Sequence, residues 1–220
     1  MKVIEIKDGQ INYIGSNKNL LKFNLLIHEN DFSIFVGKNG CGKTTLLDTL
    51  IGFRQLQNSS TYYNAYDTVA YCVQDFNGGL FPWLSLINNI LLPLKTTSNY
   101  RNDIENYAFD LLKRFNLFDR KNDFPYQLSG GQKQVVNIIR TLCTPSKLLL
   151  FDEPFSSLHS DNINVARLII GELGGKKTII LISHTQDDLL LPINRYFTFE
   201  NNDICDSTKD KVSLFLNEKY

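Results

Sequence analysis

Gly37-Lys38-Asn39-Gly40-Cys41-Gly42-Lys43-Thr44 constrains this chain more than any other stretch, because it follows the spacing G-x-x-x-x-G-K-[ST]. The motif requires a setting, a buried strand before it and a helix after it. Ser33-Ile34-Phe35-Val36 is a short apolar, partly β-branched run, and Leu46, Leu47, Leu50 and Ile51 follow at helical spacing, with Gly52 to end the helix. The reading is therefore strand, glycine loop, helix. Glycines let the backbone fold until successive N–H groups point inward at phosphate oxygens, and the helix N-terminus adds its partial positive charge. Lys43 is expected to reach the β- and γ-phosphates, and the Thr44 hydroxyl to ligate Mg²⁺, a hard ion that prefers oxygen. A chance glycine turn with a solvated lysine is the competing reading, and it leaves the flanking strand and helix unexplained. Cys41 reads as a small residue filling a tight loop, with a moderately reactive thiol as the alternative.

Two further apolar runs, Leu148-Leu149-Leu150-Phe151 and Ile179-Ile180-Leu181-Ile182, have the continuous hydrophobicity of strands buried on both faces of a parallel sheet. Between them a helix is expected, capped by Ser160 or Asp161, with Val165, Leu168, Ile169 and Leu173 on its apolar face and Gly174-Gly175 at its stop. Asp152 and Glu153 follow the first run, at the strand end where ligands of open α/β sheets bind. Asp152 is expected to hold Mg²⁺ through water. Glu153 is then placed to polarise an attacking water, since phosphoryl transfer asks the protein for positioning and electrostatics.

From about Gly78 to Leu142 the pattern changes. Ile104, Ala108, Leu111, Leu112 and Phe115 fall at helical spacing with no strand pattern between, so the stretch reads as a helical insertion. Inside it, Leu128-Ser129-Gly130-Gly131-Gln132 offers a serine N-cap and two glycines that expose backbone N–H groups at a helix start. Such a terminus can grip a second anion.

Lys plus Arg equal Asp plus Glu at 23 each, so net charge supplies no long-range pull toward a nucleic-acid backbone, and no nucleic-acid partner is expected. Cys41, Cys72, Cys143 and Cys205 lie far apart with no CxxC pair, as suits reduced thiols in a cytosolic compartment. The opening Met1-Lys2-Val3-Ile4-Glu5-Ile6-Lys7-Asp8 interrupts its apolar pairs with charge, and no apolar run approaches the roughly 20 residues of a membrane helix. A cytoplasmic chain is expected, any membrane role coming through a partner.

The ordered set GKNGCGKT, Gln74, LSGGQKQ, LLLFDEP and His184 resembles the ABC ATPase superfamily from about residue 3 to 200. The resemblance implies an α/β fold: a P-loop NTPase (RecA-like) core with an N-terminal antiparallel β part and a helical insertion. As one ABC ATPase domain over 1–220, its core would span about 1–77 and 143–220, and the helical subdomain about 78–142. It implies ATP and Mg²⁺ as cofactors, with Gly37, Lys38, Asn39, Gly40, Cys41, Gly42, Lys43, Thr44 and Thr45 around the phosphates. It further implies a head-to-tail dimer, expected to be homomeric, in which Ser129, Gly130, Gly131 and Gln132 of one subunit enclose the ATP of the other. Gln74 matches the glutamine that touches metal and water, beside Thr44 and Asp152 as metal-site residues. His184 matches the histidine that hydrogen-bonds the γ-phosphate, completing a catalytic set with Glu153 and Gln74. Tyr13 lies at about the distance expected of the adenine-stacking aromatic, with a core tyrosine as the alternative. Two departures stand out: Ser156-Ser157-Leu158-His159 puts His159 where the family usually has Asp, and Thr185-Gln186-Asp187-Asp188 differs from the usual sequence after the histidine.

Finally, Asp75-Phe76-Asn77-Gly78-Gly79-Leu80-Phe81-Pro82-Trp83-Leu84-Ser85-Leu86 looks like the corresponding stretch of importer ATPases of the nitrate, sulfonate and taurine group. That likeness implies a subunit on the inner face of the plasma membrane, bound to integral permease subunits and indirectly served by a solute-binding protein. Phe81 and Trp83 are read either as a docking surface for the permease or as part of the insertion's own core. A lipid or lipoprotein export or release ATPase, or a soluble non-transport ABC ATPase, is the alternative class.

Overall fold

The computed structural model describes residues 1–12, 19–75, 79–95 and 102–217, and it divides into two compact units, Met1–Val69 with Leu173–Tyr220 and Ala70–Glu172. In the first unit, β1 (Lys2–Asn12) runs antiparallel between β2 (Asn19–His28) and β4 (Thr61–Asn64). Val3, Ile4, Ile6 and Ile11 of β1 are buried. Strand β3 (Phe32–Val36) lies between β7 (Thr178–Ile182) and β8 (Arg195–Glu200), parallel to both, and β9 (Asp203–Ser207) closes the edge antiparallel to β8. Every residue of β3 and β7 is buried, which is why these strands read as continuous apolar runs instead of alternating ones.

Helix α1 (Lys43–Leu50) follows β3 and buries Leu46, Leu47 and Leu50. Gly52 stops it from the left-handed region at φ 82°, where a side chain would be strained. Thr178 Oγ1 accepts from Asn30 N at 2.9 Å and lies 2.7 Å from Tyr66 Oη, tying β7 to the turn before β3. Asp31 accepts His28 N at 2.8 Å and faces Arg195 Nη1 at 3.6 Å, so the surroundings of His28 are structural.

The second unit holds β5 (Val69–Cys72) beside β6 (Leu148–Asp152), the latter wholly buried. Helices α2 (Leu86–Lys95) and α3 (Asn102–Arg114) pack on α4 (Gly130–Cys143), and α5 (Ser160–Gly171) follows β6. Ala108, Leu111, Leu112 and Phe115 are buried as their spacing predicts. Two expectations for α5 need correction. His159, not Ser160 or Asp161, occupies its N-cap position, with no side-chain cap bond. Its buried residues are Ala166, Ile169 and Ile170, while Leu168 is 60% exposed; the helix presents the small Ala166 inward, and a side-chain-size reading of the pattern missed that rotation.

Asn89, fully buried in α2, holds the preceding turn: its amide oxygen accepts Phe81 N at 2.8 Å and its NH₂ donates to Phe81 O at 3.1 Å and Leu84 O at 2.9 Å. Asn89→Ala is expected to lower unfolding free energy by about 2–3 kcal/mol, since it strands buried backbone groups; urea titration followed by fluorescence of the single tryptophan, Trp83, checks this.

Burial pushes the thiols of Cys72 and Cys143 from 9.0 up to about 12. A thiol raised in the folded state contributes stability that is present below its unfolded value and lost as pH climbs through the folded one. Stability should therefore decline from about pH 9 toward 12. Native labelling near pH ~8 should reach the half-buried Cys41 and Cys205 and spare Cys72 and Cys143 until denaturant is added.

Candidate nucleotide site and its supporting helix

In the first unit the parallel strands β3 and β7 end side by side, so the loops leaving them emerge at one edge of the sheet. After β3 the chain turns through Gly40 at φ 77° and Gly42 at φ 107° into α1. Steric demands add to that backbone requirement. A Cβ on Gly37 would lie 2.7 Å from both Cys41 Sγ and Phe199 Cβ, and one on Gly42 would lie 2.8 Å from Leu21 Cδ1. The loop is thus moulded against the neighbouring strands and admits glycine alone at these points. Lys43 is only 6% exposed, and its Nζ donates to Gly37 O at 2.9 Å and Lys38 O at 3.0 Å. Its ammonium is held over the loop it must serve, by carbonyls that a phosphate oxygen can replace. No side-chain cap closes the start of α1 and its first turn carries no acid, so the helix field there favours an anion. Lys38, Asn39, Gly40 and Thr44 are exposed, with Cys41 and Thr45 half-buried.

His184 follows β7 in a loop that is clamped on both sides. Ser183 N donates to Phe35 O at 3.3 Å, Ser183 Oγ donates to the buried Asp188 carboxylate, and Thr185 N donates back to Ser183 Oγ at 3.1 Å. Further on, Ser213 Oγ of α6 (Lys209–Asn217) donates to Gln186 Oε1 at 3.1 Å. The sequence marks Asp188 only as part of a departure; an aspartate after a strand reads as surface, and only the fold reveals its serine partner.

In the second unit Asp152 ends β6 at 1% exposure and accepts from Tyr71 Oη at 3.4 Å. Glu153 next to it sits at φ 47°, a left-handed conformation costing a non-glycine residue roughly 1–2 kcal/mol. Ser156 holds it there, donating to Glu153 O from N at 3.2 Å and from Oγ at 3.0 Å. Gln74 Nε2 reaches Glu153 Oε2 at 3.1 Å, so two of the sequence-predicted catalytic residues are brought into direct contact. A left-handed backbone at Glu153 and the amide of Gln74 together fix where this carboxylate points.

Ser129 caps α4 in a reciprocal box: Gln132 N donates to Ser129 Oγ at 3.3 Å and Ser129 N to Gln132 Oε1 at 3.0 Å. Gly131 packs so closely on the turn after the acidic strand that a Cβ there would lie 2.9 Å from Ser157 O, with His159 Cδ2 at 4.0 Å. A buried polar stripe on α4 escaped the sequence reading. Gln134 Nε2 donates to Pro154 O at 3.1 Å, Asn137 Nδ2 to Val73 O at 3.0 Å, and Arg140 Nη1 to Gly79 O. Polar residues at helical spacing read as a solvated face, and only their partners distinguish the two cases. Phe81 and Trp83, edge to face at 5.4 Å, are 39% and 69% exposed, so they lie on the surface and not in a core. Tyr13 lies outside the described residues.

A glycine loop feeding an uncapped helix, acids at a strand end and a glycine-started helix beside them define a P-loop nucleoside-triphosphate-binding cassette. The family described as ABC transporter matches residues 20–156, and the chain belongs to that family; it is an ATP-binding ATPase subunit of a transporter. An uncharacterized ABC transporter ATP-binding protein, YtlC of Bacillus subtilis, is 33% identical over 180 residues, 78% of this chain and 68% of that protein. The aliphatic sulfonates import ATP-binding protein SsuB 1 of Shouchella clausii is 32% identical over 174 residues, 78% of this chain and 67% of its own. The lipoprotein-releasing system ATP-binding protein LolD of Buchnera aphidicola is 28% identical, covering 90% of this chain and 91% of that one. In fold, the chain is similar to the dimeric post-hydrolysis ATP-binding cassette MJ0796 bound to ADP and phosphate, with TM-score 0.80, 23% identity, and 94% and 99% of the two chains covered. Among the described residues no helix is long and apolar enough to cross a membrane.

The fit of Gly131 against Ser157 O yields a direct test. Gly131→Ala is expected to reduce steady-state phosphate release about tenfold, the loss of about 1.4 kcal/mol at the transition state, while leaving nucleotide binding by isolated protomers intact.

Proposed function

We propose that the chain energises an importer of a small solute such as nitrate, a sulfonate, taurine or a related compound, as one half of a nucleotide-sandwich dimer at the inner face of the plasma membrane. Gly37 to Thr45 bind the triphosphate, Lys43 neutralising its β- and γ-oxygens and Tyr13 stacking on the base. Thr44, Gln74 and Asp152 offer only oxygen donors, a hydroxyl, an amide and a carboxylate, and that donor set suits Mg²⁺; when bound, the ion would supply charge neutralisation at the phosphates. Glu153 orients the attacking water, Gln74 steers Glu153, and His184 hydrogen-bonds the γ-phosphate. Ser129, Gly130, Gly131 and Gln132 grip the ATP of the partner subunit. Binding closes the dimer, hydrolysis and phosphate release open it, and the permease follows.

The observation that carries the import reading is the exposed Phe81-Pro82-Trp83 turn, an apolar surface whose sequence is similar to that of the sulfonate and taurine group. Relatives named for sulfonate and taurine import support it. The chain recovered in mild detergent from its own cells should bring an integral permease with it; recovery with ribosomes or DNA and no membrane protein would reject transport. A release or export ATPase is the second reading, favoured by the likeness to the lipoprotein-releasing protein. Solute uptake by vesicles holding the recovered complex separates the two.

Glu153→Gln is expected to lower turnover more than about 100-fold and to trap an ATP-bound dimer, seen by sedimentation. Unchanged turnover in this variant sinks the role given to Glu153.

A further inference from the structure

Arg120 lies nine positions before the capping serine, in a short 3₁₀ turn, Phe118–Arg120, that no motif marks. Its guanidinium is engaged in three directions. Nη1 donates to Gln132 Oε1 at 2.9 Å, Nη2 to Gln127 O at 2.8 Å, and Nε to Asp123 Oδ2 at 2.8 Å. Gln132 Oε1 also accepts Ser129 N at 3.0 Å, so both acceptor positions of that oxygen are taken and the NH₂ is the end of the amide left to meet a ligand.

The location is electrostatically costly. A cation beside a helix N-terminus opposes the helix field, and α4 has no acid in its first turn while Lys133 lies in that turn. Asp123 is the one carboxylate paired with Arg120 among the described residues. With Asp123 as its carboxylate partner, the Arg120 guanidinium is held against a helix start whose amide hydrogens favour an anion.

From this geometry we infer that Arg120 is a positioning residue for ATP-dependent pairing: it fixes the Gln132 amide and the Ser129 cap in the orientation that receives the partner subunit's triphosphate. The inference rests on the proposed role of the Ser129 to Gln132 turn. Position and fork geometry, more than charge alone, make the contribution, because a compact lysine ammonium lacks the planar fork that spans Gln132, Gln127 and Asp123.

The test uses the full chain carrying Glu153→Gln, with ATP-driven association followed by sedimentation and nucleotide affinity of the isolated protomer measured with a fluorescent ATP analogue. Arg120→Gln and Arg120→Lys should each raise the ATP concentration for half-maximal association by about tenfold or more, with protomer affinity unchanged. Asp123→Ala, which removes the ion pair and leaves the contacts to Gln132 and Gln127, should associate as the parent does. Full association of Arg120→Lys overturns the fork argument, and parent-like association of both Arg120 variants overturns the assignment. Ser129→Arg serves as the reference: if it blocks association while the Arg120 variants do not, Arg120 alone is misassigned. If it too associates normally, the shared-site reading itself falls.

Discussion

Among the described residues, two helices start on glycine-bearing turns with no acid in the first turn to balance the field at their N-termini. At α1 the loop supplies no side-chain cap, so an incoming phosphate is the group that can complete the helix start. At α4 a cap exists, yet its Ser129 Oγ to Gln132 N bond is long at 3.3 Å, near the edge of a useful hydrogen bond. The first terminus is moulded by packing, Leu21 and Phe199 excluding any Cβ at Gly42 and Gly37. The second is moulded by hydrogen bonds and by the contact of Gly131 with Ser157 O. Different means yield the same kind of surface, a concentration of amide hydrogens that favours an anion.

Most of the fold was legible because its signals are local. Buried strands β3, β6 and β7 announce themselves as unbroken apolar runs, Gly37 and Gly42 mark positions crowded against neighbouring side chains, and Gly52 marks a left-handed helix stop. The contact of Gln74 with Glu153 was anticipated as a shared role, and the structure supplies the bond between them. What remained illegible depends on distant partners. Nothing in the residues around Asp188 says that its carboxylate turns inward to Ser183, and nothing near Arg120 says that its guanidinium reaches Gln132. The face of α5 was misjudged for a related reason, since Ala166 carries little hydrophobic signal and yet occupies the buried position.

The strain at Glu153 shows how local cost and site chemistry are linked. A left-handed glutamate is unfavourable by roughly 1–2 kcal/mol, and the paired bonds from Ser156 are of a size to offset it. Those bonds belong to the turn that also presents Ser157 O to Gly131. One turn therefore sets the direction of the carboxylate and the seating of the glycine-started helix. A change in either is felt by the other.

Helix α4 extends that connection. Its N-terminus carries Ser129 to Gln132, and Gln134 grips Pro154 O, one residue beyond Glu153. One turn further, Asn137 grips Val73 O, one residue before Gln74, and Arg140 holds Gly79 O at the base of the exposed aromatic turn. These side chains are buried or partly buried, so breaking any one leaves a desolvated polar group. A helix is stiff over fourteen residues, and a displacement imposed at its C-terminal half is carried to the capped end with little loss. The Glu153 and Gln74 segments, the Ser129 to Gln132 turn and the Phe81-Trp83 surface are thus tied to one element of the second unit. The aromatic turn is thus connected by hydrogen bonds through one helix to Gln74 and Glu153, in a region where sequence alone shows only a polar helix face.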